Sequence, residues 1–127
     1  MQDRVTFEYA IIRVVPKVER QEFFNVGVIL FSKRKKFLDI KYNINQKKLE
    51  AFSEEIDINM LKSYLNAWKL VCEGVPSAGT IGKLELSDRF RWLAASRSTI
   101  IQSSKTHSGI CDNPEKVLED IFTKYVL

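Results

Sequence analysis

The alternation of apolar and polar positions divides the chain into an early strand-rich part and a later helical part. Phe7 to Val15 ("FEYAIIRVV") and Asn25 to Ser32 ("NVGVILFS") are dense in β-branched and aromatic residues, which suit a pleated, half-buried surface. In the second of these, Val26, Val28 and Leu30 form one alternating set and Ile29 and Phe31 the other. Both sets are apolar, so the pattern predicts a central strand covered on both faces. Gly27 inside it predicts a bulge or a close backbone approach. Phe37 to Tyr42 alternates Leu38, Ile40 and Tyr42 with Asp39 and Lys41, the pattern of a strand wet on one side. The run Lys33-Arg34-Lys35-Lys36 between the last two segments predicts a solvated hairpin turn whose charge discourages edge pairing. Together the three strands make an antiparallel meander.

Helical spacing takes over after Tyr42. Ile58, Leu61, Leu65, Trp68 and Cys72 recur on one face while Lys62, Asn66, Lys69 and Glu73 point away, predicting a helix over Ile58 to Glu73 with Trp68 in the core. Asp57 is placed to cap its start, and Gly74 with Pro76 to end it. A shorter helix is expected over Gln46 to Phe52. Gly79 and Gly82 lack the spacing and the trailing Lys-Ser/Thr of a phosphate-binding loop, which excludes that motif. Ser87 to Ala95 reads as a helix capped by Ser87 that sends Trp92 and Leu93 inward and leaves Arg89 and Arg91 more exposed. Asn113 and Pro114 open a last helix with a stripe of Val117, Leu118, Ile121, Phe122 and Tyr125. Strands early and helices late predict an α+β fold, a largely antiparallel sheet of about four strands packed against helices.

One stretch fits neither pattern. Arg97 to Pro114, "RSTIIQSSKTHSGICDNP", starts like a strand yet offers only Ile100 and Ile101 as large apolar residues among hydroxyls, an amide and the chain's only histidine, His107. A strand that buries so little apolar surface gains little from the hydrophobic effect, and any of its polar groups that are covered need partners. Two readings stand. Either Ser98, Thr99, Gln102 and His107 converge on a ligand, or this is an edge strand whose hydroxyls satisfy neighbouring loops.

Size and charge narrow the classes. The chain has 127 residues, 45% hydrophobic and 28% charged, the balance of a single globular domain over residues 1–127. Its apolar runs are far shorter than the roughly 20 residues that cross a bilayer, and the first residues are polar, so a cytoplasmic protein without membrane contact is expected. Cys72 and Cys111 have no metal-site spacing, which predicts free thiols and no metal centre. A net charge of +4 favours anions weakly, without the clustered excess of a dedicated nucleic-acid binder.

A second polar segment lies early. Arg13 sits within an apolar strand, and the following "PKVERQEFFN" supplies Glu19, Arg20, Glu22 and Asn25. The planar guanidinium fork suits a carboxylate, so pairing of Arg13 with Glu19 or Glu22 is expected, either pinning the loop or aiming the arginine at an anion.

Tyr9 to Phe31 and Arg89 to Pro114 together resemble the two signature segments of a bacterial family, domain of unknown function family 3037. The shared positions here are Arg13, Pro16, Glu19, Arg20, Asn25, Gly27, Arg97, Ser98, Thr99, Gln102, His107, Gly109, Asp112 and Pro114. Where that pattern commonly has Ser-Pro before the histidine, this chain has Ser104-Lys105, which implies a less rigid loop. The resemblance implies gene neighbours of the HipA-type kinase-like class, and hence a protein partner. It brings no established activity, and therefore a location without catalytic roles.

The expectation is a binding or partner module. Arg13, Arg20 and Arg97 offer planar donors to an anionic small molecule or a partner's acidic groups, and Glu19, Asn25, Ser98, Thr99, Gln102 and His107 complete the site. The alternatives are a small hydrolase or phosphoryl-transfer enzyme using His107 with Ser98 or Ser104, and nucleic-acid binding through the basic turn and exposed arginines. Nothing in the sequence identifies a cofactor.

Overall fold

The computed structural model describes residues 4–16, 18–52, 56–95 and 100–127. Five strands are present among them: β1 (Val5–Val14), β2 (Phe24–Ser32), β3 (Phe37–Tyr42), β4 (Ile101–Ser103) and β5 (His107–Cys111). The helices are α1 (Gln46–Phe52), α2 (Ile58–Glu73), α3 (Gly79–Gly82), α4 (Leu86–Ala94) and α5 (Pro114–Tyr125). All strand pairings are antiparallel, in the order β3-β2-β1, with β4 and β5 sharing the remaining edge of β1. The fold is α+β.

The expected meander forms, and both sets of β2 side chains are buried. Val26, Ile29 and Phe31 join Ala10, Ile12 and Val14 of β1 beneath α1, α2 and α4 through Leu49, Leu61, Leu65, Trp68, Phe90 and Leu93. On the other face Val28 and Leu30 join Val5, Phe7 and Ile11 beneath Leu118 of α5. Gly27 serves both roles expected of it: the β1–β2 register shifts beside it, and a Cβ there would stand 2.8 Å from the carbonyl of Lys41. Lys33 to Lys36 make the exposed turn.

The helix boundaries follow their caps. Asp57 accepts from the main-chain N–H groups of Asn59 and Met60, and Gly74 ends α2 in the left-handed region at φ 68°. Asn113 accepts from Lys116 N at the start of α5, with Pro114 in the first turn.

Four expectations change. Ser87 is not a cap: α4 begins one residue earlier and its N-cap position, Glu85, makes no side-chain cap bond. Trp92 stays 38% exposed, because the adjoining Phe90 and Leu93 take the inward positions. Arg89, expected outside, donates Nη1 to the carbonyls of Val71 and Cys72 and Nε to that of Leu84, so it satisfies the carboxyl end of α2 where cationic donors are favoured. Tyr125 is 44% exposed, because the stripe of α5 that meets the sheet centres on Leu118.

A fifth strand, β5, extends the sheet beyond the four strands expected, within the polar stretch that had only a strand-like start. Its side chains are mostly exposed, so it carries no hydrophobic signature, and the unpaired length of β1 recruits it through main-chain bonds.

Two outcomes test this core. Trp68→Ala removes a buried indole from the centre of the first cluster and is expected to cost about 3–5 kcal/mol, read from urea unfolding curves. Burial also pushes the Cys72 thiol up to about 12, with Asp39 adding to the effect. A thiol raised in the folded state favours folding below its unfolded value near 9 and loses that contribution as pH climbs towards 12. Replacing Cys72 by Ala is therefore expected to flatten the fall in stability on the alkaline side, measured as the unfolding midpoint against pH.

Candidate functional site

The two polar segments meet on β1. Arg13 pairs in register with Asn25 of β2 on one side and Gln102 of β4 on the other, so the three residues form one row across the sheet. Paired residues in a ladder present their side chains to the same face. The row lies at the end of the face that carries α5, where Asn25 Nδ2 donates to the carbonyl of Tyr125 at 3.1 Å.

Arg13 is held by an aromatic ring and not by an acid. Its guanidinium carbon stands 4.1 Å from the centroid of Phe23, a cation–π contact. The expected pairing with Glu19 or Glu22 does not occur: Glu22 is taken by Arg20 in an exposed ion pair, Glu19 is exposed, and no carboxylate pairs with Arg13 among the described residues. The short turn at Val18–Arg20 and the left-handed Gln21, φ 57°, carry the acids away from the strand. Arg13 Nε and Asn25 Oδ1 are both buried without a hydrogen-bond partner.

His107 lies further along the same edge. It pairs with Tyr9 across the β1–β5 ladder, and the two rings sit 5.2 Å apart at an interplanar angle of 31°. Tyr9 precedes Arg13 by four residues on the same side of β1, a separation of about 13 Å at strand rise. Arg13, Asn25, Gln102 and His107 therefore share one face of the sheet, spread too widely for a single small ion to touch both ends. Arg97, Ser98 and Thr99 lie outside the described residues.

Between the row and the histidine the chain makes a second irregularity. Ser103 is opposite Ile12 and His107 opposite Tyr9, so residues 104–106 stand against only Ile11 and Ala10, a β-bulge. Ser104 repairs the ladder there. Its main-chain N–H donates to the carbonyl of Ile11 at 2.8 Å, and its side-chain Oγ accepts the N–H of Ile11 at 2.8 Å. The hydroxyl proton goes to the carbonyl of Lys105. A hydroxyl this buried, accepting from Ile11 and donating to Lys105, is committed to the ladder, which argues against Ser104 as the nucleophile of a hydrolase.

A family profile described as Protein of unknown function (DUF3037) matches residues 9–126. The chain belongs to that family. The DUF3037 match runs from Tyr9 of β1 through α5, so Arg13, Asn25, Gln102 and His107 all fall within it. No curated protein and no solved structure matches the chain.

Elsewhere the surface is less suited to polar chemistry. A cleft of about 410 Å³ opens between α2, α3 and α4, lined by Tyr64, Trp68, Val71, Ile81, Trp92 and Ile101, and no charged side chain among the described residues lines it. Among the described residues no group of three or more His, Cys, Asp or Glu converges as metal ligands would, and no helix is long and apolar enough to cross a membrane. Tyr9 and Phe23 are the residues that sequence reasoning missed. Tyr9 was visible in principle as the position in phase with Arg13, but its pairing with His107 depends on the bulge.

Ser104→Ala strips the Ile11 N–H of its acceptor, and is expected to cost about 1–3 kcal/mol in chemical denaturation. Ser108→Ala, at an exposed position on the same strand, is expected to stay within about 0.5 kcal/mol of wild type.

Proposed function

We propose that this DUF3037 protein is a binding module that receives an anionic group at Arg13, presented by a small molecule or by the acidic surface of a protein partner. The observation that carries the reading is the guanidinium laid on Phe23 at 4.1 Å, with no carboxylate paired to it among the described residues. An arginine oriented by a ring and left without an acid offers its remaining N–H groups as a fork to a carboxylate or phosphate. Asn25 and Gln102 flank it in register.

His107, about 13 Å away along the strand, contacts the far end of an extended ligand. That span favours a polypeptide surface over an isolated ion, and a HipA-type kinase-like protein is the partner class to test first. Arg20 and Glu19, on the exposed turn that follows β1, and Arg97, Ser98 and Thr99, which precede β4 in sequence, are the further candidate contacts of this module. The hydrolase alternative has less support, since Ser104 is committed to the ladder and the ring of His107 rests on Tyr9 with no carboxylate against it among the described residues.

The test is calorimetric titration of wild type, Arg13→Lys and His107→Ala with a purified HipA-type kinase-like protein, inorganic phosphate and a nucleotide panel. Arg13→Lys is expected to weaken binding about tenfold or more, because an ammonium cannot make the bidentate contact. His107→Ala is expected to weaken it by about 1–3 kcal/mol, the scale of one or two hydrogen bonds. A phosphate-release assay run alongside decides against the module if wild type turns over and His107→Ala abolishes turnover while binding persists.

A further inference from the structure

The two outer edges of the sheet are finished differently. On β3, Asn43 N donates to Val26 O, which sets the phase of the ladder and turns the N–H of Ile40 outward. The side chain of Asp39 takes that N–H at 2.8 Å, and Lys69 of α2 pairs with the same carboxylate at 3.3 Å. A satisfied donor flanked by charge is how a sheet edge refuses another strand.

Among the described residues β5 has no such guard and pairs with β1 alone. Ile11 fixes the phase, since both its N–H and its carbonyl bond to Ser104. Val5, Phe7 and Tyr9 therefore meet Cys111, Gly109 and His107 as hydrogen-bonded pairs. The N–H and C=O groups of Ser108 and Ile110 point away from the sheet. Ile110 is also 63% exposed, on a strand that offers no other large aliphatic side chain to solvent.

We propose that this edge pairs with the same edge of a second copy, β5 running antiparallel to β5 about a two-fold axis through Gly109. In that register Ser108 faces the partner's Ile110 and Ile110 faces the partner's Ser108, so all four outward main-chain groups on each strand are used. The two glycines meet at the axis as the closely spaced, non-hydrogen-bonded pair, and the two Ile110 side chains lie diagonally across it. Charge selects the arrangement. Lys105 marks one end of the strand and Asp112 the other, so antiparallel pairing sets Lys105 and Thr106 beside the partner's Asp112, twice. Parallel pairing sets like charge against like. The interface is isologous, as a two-fold dimer requires, and it leaves the face bearing Arg13 open.

Sedimentation over a concentration series tests the proposal, with circular dichroism and thermal unfolding confirming the fold of each variant. Ile110→Pro removes an outward N–H that β1 does not use, a change that edge strands tolerate, and is expected to raise the dimer dissociation constant about tenfold or more with the fold unchanged. Asp112→Lys is expected to weaken the dimer, and the double reversal Lys105→Asp with Asp112→Lys to restore it. Wild type that stays monomeric throughout, Ile110→Pro that dimerises as wild type does, or a double reversal no better than Asp112→Lys would each overturn the pairing. The outcome is independent of the Arg13 titrations, which read the sheet face and not its edge.

Discussion

Ile11 gives its main-chain N–H to a side chain, Ser104 Oγ, because the extra residue in the 104–106 bulge replaces the regular main-chain acceptor at that point of the ladder. The bond matters beyond its own strength. β1 has both faces covered, so its N–H and C=O groups have no route to water and must be met along each edge. On one edge β2 meets them. On the other they are met by two short strands, β4 and β5, and Ser104 closes the gap between them.

That constraint also explains which parts of the fold are legible in the sequence. β2 announces itself because burial on two faces demands two apolar sets, and α2 because its stripe from Leu61 to Cys72 repeats at helical spacing beside its two caps. β5 buries only Cys111, and is recruited by the unmet main chain of β1. Main-chain demand leaves no mark on side-chain pattern, which is why the pattern predicts about four strands and not this fifth. The fate of Ser87, Trp92 and Arg89 was hidden for a related reason: neighbouring residues on one helix compete for the core, and Phe90 and Leu93 win by position. Arg89 looked like a surface charge, yet the open carbonyls at the end of α2 draw it in.

For the site, the sequence indicates the residue types and the two segments, and the fold supplies their adjacency. Antiparallel pairing of β1 with β4 is what sets Gln102 beside Arg13, and the bulge then carries His107 to Tyr9. Were the ladder to run on from Ser103 without the bulge, Thr106 instead of His107 would stand opposite Tyr9 and His107 would fall on the other face, since a one-residue slip exchanges the two faces of a strand. The irregularity that Ser104 stabilises thus fixes which face the histidine shares with the arginine.

Arg13 itself is hard to justify by stability. Its contact with Phe23 contributes about 0.5–2 kcal/mol as a cation–π pair. Against that stands its own Nε, buried without a partner, at about 1–3 kcal/mol. The neighbouring positions on β1, Ile12 and Val14, are fully buried aliphatics that cause no such loss. An aliphatic side chain at position 13 would extend the apolar face of Ile11 and remove the unmet donor. The fold thus gains little from an arginine there, which supports the proposal that its remaining N–H groups serve a ligand.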